Sequence, residues 1–250
     1  MVTEVVAVPL DGILAMRDEY RREMDCQIVH DSWHARGFTN SYLLRVDGET
    51  VGYGSVGGAP PEAKDTVKEF FVGAGSRRAA LPLFRQLTQA SGARRISAQT
   101  NDLLLSLMLY DCAVEISSET ILFADAVSTS HSAPDVELRP IADAERDRVF
   151  AHTVEPVGDW GLERGGEIVA TGGVLRHYNP PYGDIYMEVA ASHRRQGLGS
   201  YLVQELKRIC REKGVIPAAR CHQDNVGSRL TLQRAGLLPC ARILRGRLAV

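Results

Sequence analysis

The two halves of this chain repeat one order of predicted elements, and this duplication limits the fold more than any other feature of the sequence. Each half has two extended runs about a glycine turn, an apolar strand, a helix that ends at Gly92 or Gly214, a short strand, a second helix and two final strands. A repeat of about 120 residues is too long for a solenoid. The sequence therefore predicts two domains of similar architecture.

A short polar segment, residues 126–135, separates the two halves. Its sequence, AVSTSHSAPD, is rich in small residues and contains a proline near its end, which is typical of a linker. We therefore predict a first domain over residues 1–125, a linker over 126–135 and a second domain over 136–250.

Composition excludes several classes of protein. The longest apolar run, Leu103–Tyr110, is much shorter than the roughly 20 residues that a transmembrane helix needs. The sequence has five cysteines, which are Cys26, Cys112, Cys210, Cys221 and Cys240. They include no CxxC pair, which argues against a disulfide framework or a cysteine zinc site. A net charge of −2 provides no basic field for nucleic acid. We expect a cytoplasmic protein that binds neither membrane, nucleic acid nor metal, and the sequence is compatible with a homodimer.

The second half contains a strand, a glycine turn and a helix in direct succession. The strand Ile185–Ala190 precedes a turn with Gly197 and Gly199, and the helix that follows ends at Gly214. A stripe of apolar residues marks the buried face of this helix, formed by Leu202, Val203, Leu206, Ile209 and Cys210. Four basic residues place positive charge toward its C-terminal end, namely Lys207, Arg208, Arg211 and Lys213.

This turn predicts an anion site. The first amides of a helix have no intrahelical acceptors and lie at the positive end of its dipole, and glycines let an anion approach the backbone. Arg194 and Arg195 add charged donors. A dinucleotide fingerprint needs a third glycine where Leu202 stands, and the GxxxxGK[ST] motif of phosphate-binding loops is absent. Neither of these two motifs therefore accounts for the turn.

The segment from Val189 to Gly199, VAASHRRQGLG, resembles the Arg/Gln-x-x-Gly-x-Gly/Ala signature of the GNAT superfamily of acyl-CoA-dependent N-acyltransferases. A second segment, Asn225–Leu237, is similar to the family's Asn-x-x-Ala/Ser helix. The resemblance implies that loop amides hold the diphosphate of acetyl-CoA, and that Asn225 and Ser228 lie beside its pantetheine and thiol end. The implied binding residues are Val189, Arg194, Arg195, Gln196, Gly197, Leu198, Gly199, Ser200, Asn225 and Ser228. Asn225 can also simply cap the helix that follows it, and both roles can hold at once.

The same resemblance implies the fold class, which is α/β (α+β) with two tandem GNAT-like domains, each a mixed, mostly antiparallel sheet flanked by helices. The first half departs from the signature, because Gly73 and Gly75 come too early and Ala79 and Ala80 open its helix. We predict a degenerate first domain that holds no acetyl-CoA and that forms one wall of the acceptor site. One molecule of acetyl-CoA per chain follows from this prediction.

Candidate catalytic residues lie on the strand before the loop. Amide formation requires a neutral amine, and a carboxylate can take the proton from an amine that is charged at neutral pH. Asp184, Tyr186 and Glu188 alternate and share one face of a regular strand. We choose Glu188 over Asp184 as general base because it lies closer to the expected thioester, and a purely structural carboxylate is the alternative. The resemblance implies that the Val189 amide polarises the thioester carbonyl.

The family's usual general acid, a tyrosine seven residues after the asparagine, is replaced here by Leu232. The leaving thiolate then departs unaided or takes a proton from water, Cys221, Tyr186 or Ser228. We interpret the chain as an N-acetyltransferase that moves the acetyl group of acetyl-CoA to a primary amine of a small molecule or peptide, by direct attack in a ternary complex. Two alternatives stay open: a non-catalytic acyl-CoA sensor or interaction protein, and an acyltransferase for longer acyl groups.

Overall fold

The computed structural model describes residues 1–23, 28, 30–153 and 155–249, and Cys26 lies outside the described residues. The chain forms two compact units. The first comprises Met1–Glu119 together with Ala241–Val250, and the second comprises Thr120–Cys240. Within the described ranges, no helix combines the length and the apolar character that are needed to cross a membrane.

The first unit is a sheet with helices on its faces. Its own strands are β1 (Thr3–Val8), β2 (Thr39–Val46), β3 (Glu49–Gly57), β4 (Thr66–Val72) and β5 (Arg95–Gln99). Its helices are α1 (Leu14–Glu23), α2 (Asp31–Ala35), α3 (Ala80–Ser91) and α4 (Leu103–Cys112). Consecutive strands from β1 to β4 pair antiparallel, whereas β4 and β5 pair in parallel.

The second unit repeats this plan. Its own strands are β7 (Glu137–Pro140), β8 (Trp160–Arg164), β9 (Glu167–Leu175), β10 (Tyr182–Val189) and β11 (Ile216–His222), and its helices are α5 (Leu198–Glu212) and α6 (Val226–Arg234). The pairs from β7 to β10 are antiparallel, and β10 and β11 are parallel. This confirms the predicted fold class of mixed, mostly antiparallel sheets flanked by helices. Two further strands, β6 (Ala113–Asp125) and β12 (Leu237–Leu248), contain the boundaries between the units.

The compact units differ from the predicted domains at both of these strands. Thr120–Asp125 belongs to the second unit, because this end of β6 pairs antiparallel with β11. The final residues belong to the first unit, because Ile243–Arg247 of β12 pairs antiparallel with β5. The predicted linker, residues 126–135, lies inside the second unit, where the amides of Ala126 and Val127 donate to the carbonyl of Gly236.

The parallel strands of each unit separate soon after they meet. β10 pairs with β11 from Tyr182 to Asp184, and the rest of β10 pairs with β9 on its other side. In the first unit the parallel contact of β4 with β5 is limited to Thr66 and Val67. Each unit therefore has an opening beside the C-terminal end of its central strand, and the helix that follows that strand begins at this opening.

Helix α5 buries the apolar stripe that its sequence predicts. Leu202, Val203 and Leu206 have no exposed surface, and Ile209 and Cys210 are also buried. They pack with residues of β9, β10 and β11 in the core of the second unit. Burying a stripe of this size favours folding by roughly 1.5–3 kcal/mol for each large apolar side chain.

The sequence predicts Lys207 as one of four basic residues toward the C-terminal end of α5, but the structure places it in the protein interior. Its side chain is buried, with 1% of the residue exposed, and Nζ lies 2.7 Å from the carbonyl oxygens of Val127 and Ala235. Nζ also lies 2.8 Å from Asp125 Oδ1. The ammonium group therefore joins β6, the segment after it and the end of α6, and its buried charge is compensated by Asp125.

We expect Lys207→Met to destabilise the protein by about 3 kcal/mol, because the two carbonyl groups and Asp125 lose a buried charged donor. Urea unfolding followed by circular dichroism measures this change. The matched control is Lys213→Met on the exposed end of the same helix, which we expect to change stability by less than about 0.5 kcal/mol. Equal effects of the two substitutions would contradict the structural role of Lys207.

Candidate functional site

The turn between β10 and α5 leaves the first amides of the helix without intrahelical acceptors. A short 3-10 turn at Ala191–His193 ends in extended backbone at Arg194, and Arg195 and Gly197 then adopt positive φ angles of 63° and 83°. Helix α5 begins at Leu198, and the amide of Tyr201 donates to the carbonyl of Gly197 at 3.1 Å. The preceding amides of α5 therefore point past the start of the helix, at the positive end of its dipole.

The two positions of the turn require glycine for different physical reasons. A Cβ atom at Gly197 would meet nothing within 4 Å, so glycine is needed there for its left-handed φ and not for want of space. A Cβ atom at Gly199 would lie 3.0 Å from Thr231 Cγ2 and 3.5 Å from Met187 Sδ. Gly199 therefore allows α5 to pack closely on α6 and β10, and Ser200 Oγ supports this contact by donating to the Thr231 carbonyl at 3.2 Å.

Val189, the last residue of β10, directs its backbone N–H into the opening. Ala190 N–H donates to the carbonyl of Val169 at 2.9 Å, so these two residues form a hydrogen-bonded pair. Such pairs alternate with non-hydrogen-bonded pairs in an antiparallel ladder, and Val189 is opposite Ala170 in the next pair. The N–H and C=O of Val189 therefore point away from β9, toward the side on which β11 has separated. This orientation is the one that an amide donor to a bound thioester requires.

Glu188 is buried, with 9% of the residue exposed, and its carboxylate is held by an irregular segment before β8. Thr153 N–H lies 3.1 and 3.2 Å from its two oxygens, and Thr153 Oγ1 donates to Oε1 at 2.8 Å. His152 Nδ1 lies 3.6 Å from Oε2. His152 is itself fixed, because Nδ1 donates to the Glu155 carbonyl at 2.9 Å and Nε2 accepts from Thr171 Oγ1 at 3.1 Å.

Asp184 and Tyr186 share the face of Glu188, since β10 keeps a regular register with β9. Asp184 is buried between two basic groups, with Arg220 Nε at 3.1 Å and His177 Nε2 at 3.2 Å from Oδ2. Burial raises the pKa of the Tyr186 phenol, whose ring lies over Gly173. Burial and the nearby negative charge of Asp184 also raise the pKa of Glu155. Asp184 thus has the surroundings of a structural carboxylate.

The predicted diphosphate-binding side chains differ in their contacts. Gln196 Oε1 accepts a hydrogen bond from Arg164 Nη1 at 2.7 Å, whereas Arg195 is exposed. Arg194 turns back toward the strand, and its Nε donates to the Val189 carbonyl at 3.0 Å. The loop therefore offers the guanidinium group of Arg195 beside the amides at the start of α5, whereas the exposed side chain of Arg194 is turned toward β10.

Asn225 caps α6, which is one of the two roles that the sequence predicts for it. Its Oδ1 accepts from the Ser228 N–H at 2.9 Å.

Leu232 is buried, with 3% of the residue exposed, and belongs to the core of the second unit. Burial raises the pKa of the nearby Cys221 thiol, so this group is protonated at neutral pH. Within the described residues, no group of three or more His, Cys, Asp or Glu side chains is placed to hold a metal ion.

The first unit fills the face that corresponds to this site with its own side chains. Counting back from the last strand residue, Val72 or Val189, Phe71 stands in place of Glu188 and Glu69 in place of Tyr186. Buried Glu69 accepts hydrogen bonds from Arg17 at 2.8 and 2.9 Å and from Tyr53 at 3.0 Å.

His34 Nε2 lies 3.2 Å from the Glu69 carboxylate. Although burial alone would raise the pKa of Glu69, contacts with His34 and Arg17 hold it well below its usual range. The carboxylate is therefore ionised and fully engaged within the first unit.

Helix α3 of the first unit begins without a left-handed turn. A 3-10 turn over Ala74–Ala79 runs directly into it, Ala79 has a φ of −93°, and the Ala80 amide donates to the carbonyl of Arg77. The Ala80 amide at this helix start is therefore used by the turn, whereas the first amides of α5 point outward. This difference agrees with the prediction that the first unit does not bind acetyl-CoA, which stays a prediction.

His152, Thr153, His177 and Arg220 are the site residues that sequence reasoning missed. The first two precede β8 in an irregular segment, and no periodic pattern or motif connects them with Glu188, 35 residues later for Thr153. His177 lies in the loop between β9 and β10 and contacts Asp184 from there, whereas the pairing of β10 with β11 brings Arg220 to Asp184.

Comparison with known proteins gives the family of the second unit. Residues 124–237 match the model of the Acetyltransferase (GNAT) family. The second half of this chain is a GNAT domain. Sequence comparison with curated proteins finds no match.

Solved structures that resemble the whole chain show the same fold. An acetyltransferase of the GNAT family from Colwellia psychrerythraea has a TM-score of 0.77 at 13% identity, over 98% of this chain and 100% of its own. A tandem GNAT protein from the clavulanic acid biosynthesis pathway has a TM-score of 0.59 at 12% identity, over 100% and 99%. A GCN5-related N-acetyltransferase from Sphaerobacter thermophilus has a TM-score of 0.56 at 15% identity, over 99% and 97%. The chain thus has the tandem GNAT fold.

Two substitutions separate the capping role of Asn225 from a role in binding acetyl-CoA by the GNAT domain. We expect Asn225→Ala to destabilise the protein by about 1 kcal/mol, because the cap is lost. Asn225→Asp keeps an oxygen acceptor for the Ser228 amide, so stability should stay at the wild-type level while affinity for acetyl-CoA falls. Thermal unfolding and calorimetry measure the two effects. Wild-type affinity in Asn225→Asp would leave Asn225 as a cap alone.

Proposed function

We propose that this chain is an N-acetyltransferase, in which the second unit binds acetyl-CoA and transfers the acetyl group to a primary amine. The observation that carries this proposal is the coincidence of three features at one opening. These are the outward amides at the start of α5, the Val189 N–H that β9 leaves unused, and the buried carboxylate of Glu188. No neighbouring atom lies within 4 Å of a Cβ at Gly197, so an anionic group such as a diphosphate would meet no obstruction there.

The residues of the GNAT domain divide the work of the reaction. Acetyl-CoA, when bound, supplies the activated acetyl group as a thioester. The amides of α5 and the Arg195 guanidinium would hold the diphosphate, and the Val189 N–H would donate to the oxygen on which negative charge develops. Glu188 would accept the proton that the amine loses as its nitrogen bonds to the acetyl carbon, directly or through a water molecule.

The fate of the leaving thiolate follows from the same surroundings. The position that a donor tyrosine would take is the buried Leu232, so no side chain there can supply a proton. We propose that the thiolate leaves without a protein acid or is protonated by solvent, since the nearby Cys221 thiol has a raised pKa and is a poor donor. A protein that only senses acyl-CoA would share the binding residues, and turnover distinguishes the two functions.

We expect Gly197→Glu to abolish binding of CoA, because a negative side chain would occupy the space in front of the helix amides. The matched control is Gly214→Glu, at the other end of α5, where φ is also positive and the space is also open. It carries the same backbone strain and the same charge, yet should bind CoA like the wild type. Calorimetry measures affinity and stoichiometry, and one site per chain is expected. Binding by Gly197→Glu, or two equivalent sites in the wild type, would contradict the proposal.

Glu188→Gln keeps the shape of the side chain and an acceptor for the two Thr153 donors, but removes the basic oxygen. We expect turnover to fall by about 10²–10⁴-fold, while the affinity for acetyl-CoA stays near the wild-type value. Thiol release with a panel of primary amines provides the assay, and calorimetry provides the control for binding. Wild-type turnover by this variant would move the role of base to Asp184 or to solvent.

A further inference from the structure

The side chain of Arg194 lies along the end of β10, although it stands in the loop before α5. Its Nε donates to the Val189 carbonyl at 3.0 Å, and its Nη2 lies 3.7 Å from Glu188 Oε1. The side chain is 54% exposed, so its position is not forced by burial. One guanidinium group thus connects the turn, the last carbonyl of the strand and the carboxylate of the proposed base.

The first unit contains the same contact between an arginine and the last carbonyl of the strand, although its helix α3 begins differently from α5. Arg77 follows Val72 by five residues, as Arg194 follows Val189, and Arg77 Nε donates to the Val72 carbonyl at 3.2 Å. There a 3-10 turn leads directly into α3 and uses the Ala80 amide, so this arginine contact exists without the left-handed helix start of the second unit. The contact therefore belongs to the strand-to-helix turn and does not depend on an anion site.

The distal nitrogens of the two arginines have different partners. In the first unit Arg77 Nη2 pairs with Glu23, which is more than a third exposed, and the residue before Val72 is Phe71. In the second unit the residue before Val189 is Glu188, and Arg194 Nη2 lies beside it. In the second unit, the arginine therefore makes the hydrogen bond to the strand carbonyl that both units have and also contacts a buried carboxylate.

We infer that Arg194 is a positioning residue for Glu188 rather than a ligand of the CoA diphosphate, an inference that rests on the proposed function. Its Nε fixes the turn on the strand, and its charge favours the ionised form of the neighbouring carboxylate. Other groups that face Glu188 include the N–H and hydroxyl of Thr153, the imidazole of His152 and the carboxyl of Glu155. Among the arginines and lysines that the structure describes, Arg194 lies within salt-bridge distance of Glu188, at 3.7 Å.

Three variants test this assignment. Arg194→Gln removes the charge, Arg194→Lys keeps a charge but cannot hold the planar two-point contact, and Arg195→Gln is the matched control in the same loop. For each protein, calorimetry gives the affinity for CoA, and thiol release at saturating acetyl-CoA gives the pH profile of turnover with the most active amine of the panel.

We expect Arg195→Gln to weaken CoA binding by about tenfold through loss of a charged donor, and to leave the pH profile unchanged. Arg194→Gln should change CoA affinity by less than threefold, and should move the low-pH limb of turnover up by about one pH unit, because the base is protonated more readily. Arg194→Lys should return this limb toward the wild-type position.

Two results would overturn the inference. One is an equal loss of CoA affinity in Arg194→Gln and Arg195→Gln, which would make both arginines ligands of the diphosphate. The other is an Arg194→Gln profile that superimposes on the wild-type profile. Failure of the proposed function is distinct from both, because the wild-type protein itself would then bind no CoA or release no thiol.

Discussion

The short parallel contact between β10 and β11 is the constraint on which the rest of the second unit depends. After Asp184 the strands no longer exchange hydrogen bonds, so the backbone groups of Val189 point into an opening instead of into a sheet. The Val189 carbonyl accepts from Arg194 Nε, whereas its N–H faces the opening, and a buried backbone donor without a partner is costly. The opening is also where α5 begins, so strand amide and helix amides face one space. The divergence of the two strands creates this space, and the left-handed turn at Gly197 leaves the amides of α5 facing it.

The two units have the same order of elements but differ at the start of the helix that follows the central strand, and in the surroundings of the buried carboxylate on that strand. In the first, the turn before α3 continues as a 3-10 helix and Glu69 is saturated by Arg17, Tyr53 and His34. In the second, a left-handed Gly197 interrupts the turn, and the contacts of Glu188 include Thr153, His152 and Arg194. The contacts of Glu69 with Arg17 and His34 hold its pKa well below the usual range, so it stays ionised within its own unit. Glu188 instead accepts hydrogen bonds from the neutral donors of Thr153, and the half-exposed guanidinium of Arg194 lies 3.7 Å away.

Local patterns predicted those parts of the structure that local physics determines. The apolar stripe of α5, the glycine at its start and the cap at Asn225 follow from helix periodicity and from backbone groups near in sequence. The burial of Lys207 did not follow, because its compensating partners, Asp125 and the carbonyl of Val127, are about 80 residues away in the chain. The Thr153 contacts with Glu188 likewise depend on an irregular segment that has no sequence signature.

Strand β12 has a consequence for how this chain is made. Residues 243–247 complete the sheet of the first unit by pairing with β5, yet they are synthesised after every residue of the second unit. While residues 120–240 emerge from the ribosome, the edge of β5 has no native partner, and exposed edges of this kind attract foreign strands. The N-terminal half of the chain, although made first, therefore reaches its finished fold last.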